Sequence, residues 1–234
     1  ETAEARRRQF VSDASHELKT PLASIKLLSD SILQNEMDPE TQREFIGDIG
    51  READRLGRLT QKLLTLTKLD SSVEEEREIL DAAPVVRKVV RMLLPLARLR
   101  GIGIDTTFEP DCSVMTVEDD LYQIVFNLTE NAIKYNRQDG WVGVSVRRAG
   151  DQVELRVEDN GAGIPPESME HIFERFYRTD ASRNSSKGGS GIGLSIVKKI
   201  MEDHGGQVWA TSKEGTGTTM YLALRKYQEV PVHE

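Results

Sequence analysis

This chain of 234 residues is poor in cysteine, in positive charge and in long apolar runs, and each shortage removes a class of function. Its single cysteine, Cys112, has no partner for an internal disulfide, and no Cys/His cluster has zinc-site spacing. A reducing, cytoplasmic setting is therefore expected. Lys and Arg total 31 against 39 Asp and Glu, giving a net charge of -8 and a pI of about 5.2. That balance argues against a general nucleic-acid binder, which needs a basic face. No apolar stretch approaches the roughly 20 residues of a membrane span, and no signal peptide is visible. Internal repeats are also missing. What remains, with 38% hydrophobic and 30% charged residues, is the composition of a soluble globular protein of one or two domains.

The first part of the chain is strongly helical in pattern. Phe10, Ala14, Leu18, Leu22, Ile25, Leu28 and Ile32 fall at helical spacing over residues 3 to about 34. The chain opens inside this pattern with no cap before it, so a piece of a longer protein is expected. Asn35 to Pro39 interrupts the pattern. Asp38-Pro39-Glu40 then restarts a helix with an N-cap and a proline in its first turn, running to about Asp70. Ile49, Leu56 and Leu63 lie seven apart, interleaved with Phe45, Leu59 and Leu66, as in a coiled-coil seam. A lone two-helix hairpin does not bury such a seam on both helices, whereas two hairpins paired into a four-helix bundle do. The expectation is a homodimer through residues 3 to 70.

Ser71 to Glu78, with three consecutive glutamates, reads as a solvated linker. Beyond it the pattern mixes α and β. Strands are expected near 79–80, at 102–108, 113–116, 141–148, 152–158, 207–212 and 217–225, with helices at about 82–100, 118–135 and 191–203. Residues 1–72, a linker at 73–78, a second domain at 79–228 and a tail at 229–234 make up the expected organisation.

Four short stretches carry chemistry. In Phe10-Val11-Ser12-Asp13-Ala14-Ser15-His16-Glu17-Leu18-Lys19-Thr20-Pro21-Leu22, His16 lies two positions from both Ala14 and Leu18, off the apolar stripe and toward solvent. Thr20 follows one turn later on the same face, and Pro21 deletes a backbone hydrogen bond and should bend the helix there. In Asn127-Leu128-Thr129-Glu130-Asn131 the two asparagines are i,i+4 and project from one helix face. Two amide oxygens suit a hard Mg²⁺ that keeps most of its water and shares phosphates. Asp159-Asn160-Gly161-Ala162-Gly163 ends a strand, with glycines that let backbone pass close to a ligand. Gly189-Ser190-Gly191-Ile192-Gly193-Leu194 opens a helix, where backbone amides favour anions. A dinucleotide fingerprint is excluded because no strand runs directly into that cluster.

Taken in order, these stretches resemble the H, N, G1 and G2 boxes of sensor histidine kinases of the HisKA type. The resemblance implies an all-α helical hairpin, a four-helix bundle as a dimer, followed by an α/β sandwich of the GHKL ATPase type. It implies an ATP-dependent protein-histidine kinase core in which His16 accepts the γ-phosphoryl group and passes it to an aspartate of a response regulator. Glu17 would then accept the Nδ1 proton, and Thr20 would help position water for phosphatase activity toward the regulator. Asn131 and Asn127 would be the Mg²⁺ ligands, Lys134 a phosphate-facing cation and Tyr135 an adenine-packing ring. Asp159 would accept from the exocyclic amine of adenine, with Gly161 and Gly163 beside the base. Gly189, Gly191, Gly193 and Leu194 would meet the phosphates, behind a lid spanning Thr179 to Lys187. Ile172 to Arg178 resembles the F box, with Phe173 and Phe176 at the lid base and Arg178 as a γ-phosphate contact. Gly215 to Thr219 resembles the last glycine box, with Thr219 at the nucleotide, although a tight hairpin explains it equally well. ATP and Mg²⁺ are thus the implied ligands, and a membrane-anchored sensor upstream is implied for the family.

Departures from the family pattern are mild: Ser190 and Ile192 replace the common threonine and leucine, and Asp13 stands where asparagine is frequent. His171, His204 and His233 read as structural or neutral, His204 as a cation at a helix end. Two rivals stay open here. An ATPase clamp of the same fold would place a glutamate where Asn127 stands, and a dimeric scaffold would bind nucleotide without forming a covalent phosphate.

Overall fold

A computed structural model describes residues 3–70, 76–179 and 189–228. Residues 71–75 of the expected linker, residues 180–187 of the lid expected from Thr179 to Lys187, Gly188, and the tail at 229–234 with His233 lie outside the described residues. Two compact units divide between Ser72 and Val73.

The first unit is a pair of long helices, α1 (Ala3–Gln34) and α2 (Pro39–Asp70), packed against each other. The break between them is built by Asp38. Its Oδ1 accepts from the amides of Glu40 and Thr41 at 3.0 Å, and its Oδ2 accepts the Thr41 hydroxyl at 2.6 Å. The Thr41 hydrogen bonds hold the Asp38 carboxyl below the usual range. Helix α1 runs unbroken through Pro21, whose ring is buried. Among the described side chains of α2, Leu59 and Leu66, seven apart, are buried. The apolar stripe expected of α1 is not continuous in the protomer: Leu22 is exposed, as are Val11, Leu27 and Leu33, and Ile46 and Leu64 on α2.

The second unit is a two-layer α/β sandwich. Its strands are β1 (Glu78–Asp81), β2 (Gly103–Phe108), β3 (Ser113–Thr116), β4 (Trp141–Ala149), β5 (Gln152–Asp159), β6 (Gln207–Lys213) and β7 (Gly217–Arg225). Its helices are α3 (Ala82–Leu99), α4 (Glu118–Lys134) and α5 (Gly193–Asp203). The main sheet has the order β2-β4-β5-β7-β6, while β1 and β3 form a separate antiparallel ribbon. Hairpins β4–β5 and β6–β7 are antiparallel, and β2 joins β4 in parallel. Strand alternation puts Val142, Val144, Val146, Val153, Leu155 and Val157 in the core and leaves Trp141, Arg147 and Arg156 on the outer face. The inner face is covered by Val86, Val89 and Leu93 of α3, Leu121, Ile124, Val125 and Leu128 of α4, and Ile196, Val197 and Ile200 of α5. On α4 those positions follow the i, i+3, i+4, i+7 rule.

His204, expected to be structural or neutral at a helix end, is buried against neighbours distant in sequence. It caps α5 with its side chain buried, Nε2 lying 2.8 Å from Asp120 Oδ2 and Nδ1 3.5 Å from Thr116 Oγ1. The outcome is still structural: the imidazole pins the end of α5 to the start of α4 and to β3. His171 is exposed and bonds Glu174 at 2.8 Å, which raises its pKa. No helix among the described residues is long and apolar enough to cross a membrane.

Candidate active site

The cleft is assembled at the C-terminal half of α4. Asn127 is buried, and its Nδ2 donates to the Gln123 carbonyl at 2.9 Å. That bond turns Oδ1 toward Gly193 at the start of α5, where a Cβ would stand 3.0 Å from it. Asn131, one turn on, is half-buried. At the end of α4, Lys134 Nζ lies 5.1 Å from the centre of the Tyr135 ring. The same ammonium and the Tyr135 hydroxyl face Gly189, where a side chain would come within 2.9 Å and 2.7 Å of them. The glycine cluster and the asparagine helix therefore meet along one seam, and a side chain at Gly189 or Gly193 would crowd it. Burial pushes the Tyr135 phenol up, while the nearby Arg178 charge acts in the opposite sense.

The same cluster is anchored from the other side. Gly191 has φ +66°, and its carbonyl accepts the Phe176 amide at 2.9 Å. A Cβ there would lie 2.6 Å from the Phe176 carbonyl carbon, so only glycine fits. Phe173, Phe176 and Arg178 are half-buried around this contact. Leu194 follows in the first turn of α5, half-buried. The Ser190 hydroxyl between the two glycines is buried, with no hydrogen-bond partner among the described residues. A buried donor in that position is costly unless something accepts from it, and a phosphate oxygen is the kind of acceptor that fits.

Asp159 closes the opposite end of the cleft, at the last position of β5. Its carboxylate accepts the Gly161 amide at 2.8 Å and the Thr218 amide across the sheet. Burial outweighs these bonds and pushes its pKa up to about 6. Gly161 lies against the Tyr135 carbonyl, and Gly163, at φ +69°, lies against the Lys213 carbonyl. Asp159 is thus held beside the end of α4 by backbone that tolerates no Cβ at either glycine.

The register pairs Asp159 with Thr218 and Glu158 with Thr219. Because side chains alternate, Thr218 shares the inner face with Asp159 and Thr219 is directed to the other one. Thr219 nonetheless lines the same open hollow of about 640 Å³ as Asp159 and Thr218, with Trp141, Glu158 and Thr211. Thr218 Oγ1 sits 2.9 Å from Ser212 Oγ, which also accepts the Ile164 amide at 2.8 Å. Thr218 and Ser212 were not singled out from the sequence; counting by twos back from the buried Met220 would have found Thr218. The hairpin reading of Gly215 to Thr219 holds at the same time, since β6 and β7 pair up to Lys213–Gly217.

In the helical unit, His16 is exposed on α1 and Glu17 is half-buried beside it. The Thr20 hydroxyl reaches back to the His16 carbonyl at 3.4 Å, a long local bond that leaves it close to the imidazole's turn. Among the described residues, no group of three or more His, Cys, Asp or Glu could hold a metal ion.

Comparison with known proteins agrees with this architecture. The model of the histidine kinase-, DNA gyrase B-, and HSP90-like ATPase family matches residues 116–228, and that of the His Kinase A (phospho-acceptor) domain matches residues 6–72. The sensor-like histidine kinase SenX3 of Mycobacterium tuberculosis is 37% identical over 222 residues, which is 94% of this chain and 54% of SenX3. The solved structure of the mycobacterial sensor histidine kinase MprB is 30% identical with a TM-score of 0.55, covering 64% of this chain and 97% of that one. The histidine kinase ThkA, solved in complex with the response regulator protein TrrA, shares the fold at a TM-score of 0.78 and 23% identity, over 94% of this chain and 61% of that one. The two units are an ATPase-type sandwich and a phospho-acceptor hairpin, and the chain belongs to the sensor histidine kinases of two-component systems. It spans about half the length of SenX3.

Proposed function

We propose that the chain is the core of an ATP-dependent protein-histidine kinase that phosphorylates its own His16. One observation carries this reading: in one unit Asn127 faces Gly193, Lys134 and Tyr135 face Gly189, and Gly161 beside Asp159 lies against the Tyr135 carbonyl, while the other unit presents an exposed imidazole. Asp159 at one end accepts from the exocyclic amine of adenine, which selects against guanine and its carbonyl. Gly189 to Gly193, the Ser190 hydroxyl and Lys134 at the other end receive the phosphates, with Arg178 beside them. Asn131 and Asn127 present the amide oxygens that would hold Mg²⁺, which supplies charge neutralisation on the phosphates when bound.

In the transfer, the lone pair of neutral His16 Nε2 forms the bond to the γ-phosphorus as the bond to the β,γ-bridging oxygen breaks, and ADP leaves with that electron pair. Glu17 takes the Nδ1 proton. Catalysis is mostly positioning and charge placement. The phosphoryl group then passes to an aspartate of a response regulator receiver domain. Glu17 and Thr20 support the reverse role, removal of phosphate from the regulator. A homodimer through the hairpin accounts for the apolar residues exposed on α1 and α2 of the protomer. The ThkA–TrrA complex supports a regulator as partner.

The test is incubation with radiolabelled ATP and Mg²⁺, native chain against His16→Ala. Label that is lost in acid, kept in base and absent from the variant identifies phosphohistidine at His16. Nucleotide bound with no covalent label would overturn the kinase reading in favour of a clamp or scaffold.

A further inference from the structure

The loop from α4 to β4 and the turn leaving β5 are stitched together by two asparagines to which no role has been given above, Asn136 and, within the Asp159 to Gly163 stretch, Asn160. Asn136, just past the end of α4, is buried, with 4% of its surface exposed. Its Nδ2 donates to the Trp141 carbonyl at 3.0 Å, and its Oδ1 accepts the Arg137 amide at 2.9 Å. Asn160, the residue after Asp159, accepts the Trp141 amide on its Oδ1 at 2.8 Å, and its own amide donates to the Trp141 carbonyl at 3.4 Å. Both side chains thus converge on the backbone of one residue, Trp141, at the start of β4. The space between them is closed: a Cβ at Gly140 would stand 2.2 Å from Asn136 Oδ1 and 2.9 Å from Asn160 Oδ1. Next to this knot, the Ala162 amide donates to the Tyr135 carbonyl at 3.1 Å.

The knot lies where the two ends of the cleft join. On one side the chain enters it from Asn131, Lys134 and Tyr135; on the other it leaves from Asp159. The Asn136 Nδ2 and Oδ1 and the Asn160 Oδ1 are all engaged with backbone, which suits them to holding the chain in place. We propose that Asn136 and Asn160 are positioning residues, a side-chain clasp that sets the distance between the adenine-accepting carboxylate and the phosphate-facing end of α4, and hence the affinity for an adenine nucleotide. This rests on the reading of the cleft as an ATP site. Removing either asparagine leaves the Trp141 backbone short of a partner and lets the two backbone segments separate. A nucleotide that must touch both ends then spends binding energy drawing them together.

The experiment uses the full chain with Mg²⁺ and a non-hydrolysable ATP analogue in calorimetry, alongside labelling at limiting and saturating ATP. Asn160→Ala and Asn136→Ala are each expected to weaken binding about tenfold or more. Labelling at saturating ATP should stay within about threefold of native, a split in KM rather than kcat. Asn160→Asp, which keeps an oxygen for the Trp141 amide, restores affinity. The double alanine variant is expected to be no weaker than the weaker single one, because the two hold the backbone of the same residue, Trp141. Native affinity in Asn160→Ala, or losses that simply add, would overturn the clasp while leaving the cleft reading intact. Native chain that binds no analogue would instead overturn the cleft reading, and the clasp's role with it. Should Asn136→Ala not fold, the Asn160→Ala and Asn160→Asp pair decides alone.

Discussion

Replacing Asp159 by asparagine should make the nucleotide-free protein more stable and at the same time unfit to bind ATP. The carboxyl has a pKa of about 6 in the folded chain against an ordinary 3.8, because burial disfavours its charged form more than the Gly161 and Thr218 amides favour it. Between those two values the folded state holds a proton that the unfolded state has released. The stability this proton brings is fully present below pH 3.8 and is lost as the pH rises through about 6. Above that, the folded chain carries the whole cost of a buried carboxylate, about 3 kcal/mol for a shift of roughly two units. Asparagine has a similar shape and an oxygen for the same two amides, but no charge to bury. The gain in Asp159→Asn should therefore be near zero at pH 4 and about 2–3 kcal/mol at pH 8. In urea that is a midpoint higher by about 1–2 M. Trp141 and Trp209 both lie in the α/β unit, so their fluorescence follows the unfolding of that unit. Calorimetry on the same variant should show ATP affinity reduced by at least about tenfold, since the adenine amine loses a charged acceptor. A stability difference that does not change between pH 4 and 8, or a variant less stable than native at pH 8, would refute the burial argument.

Gly163→Ala should destabilise the α/β unit by about 2–4 kcal/mol, because φ is +69° and the new Cβ would lie 2.2 Å from the Lys213 carbonyl. Gly150→Ala, at φ +66° with open space around it, should lose only about 1 kcal/mol; equal urea midpoints for the two would show that crowding at Gly163 is not what matters. Thr20→Ala should keep autophosphorylation while losing dephosphorylation of a phosphorylated regulator, and parallel loss of both would make Thr20 a merely positional residue. Light scattering at micromolar concentration should report twice the 26.3 kDa of the chain, and a monomer would contradict the pairing of hairpins.

Much of this molecule is legible in the order of its residues, because the signals are local. Helical spacing of Leu121, Ile124, Val125 and Leu128, the Asp38 cap, and the valine alternation of β4 and β5 each act within a few residues. The types of residue the chemistry needs are equally visible: an off-stripe histidine, paired amides, a strand-ending aspartate, glycines opening a helix. Pairing across the chain is another matter. That β2 lies parallel to β4, that Thr218 rather than Thr219 faces Asp159, and that Leu22 stays exposed while Pro21 is buried depend on register and packing between distant segments. A one-residue change of register reverses every side chain in a strand, and nothing within Gly215 to Thr219 itself specifies which parity is used. His204 likewise shows in the sequence only its place at a helix end; its partners Asp120 and Thr116, 84 and 88 residues away, are brought to it by the fold. The raised pKa of Asp159 and the clasp of Asn136 and Asn160 belong to the same class. The order of residues sets the elements and the chemical groups they carry. Which groups face one another, and how deeply each is buried, follows from packing, because burial and register arise from contacts between segments that are far apart along the chain.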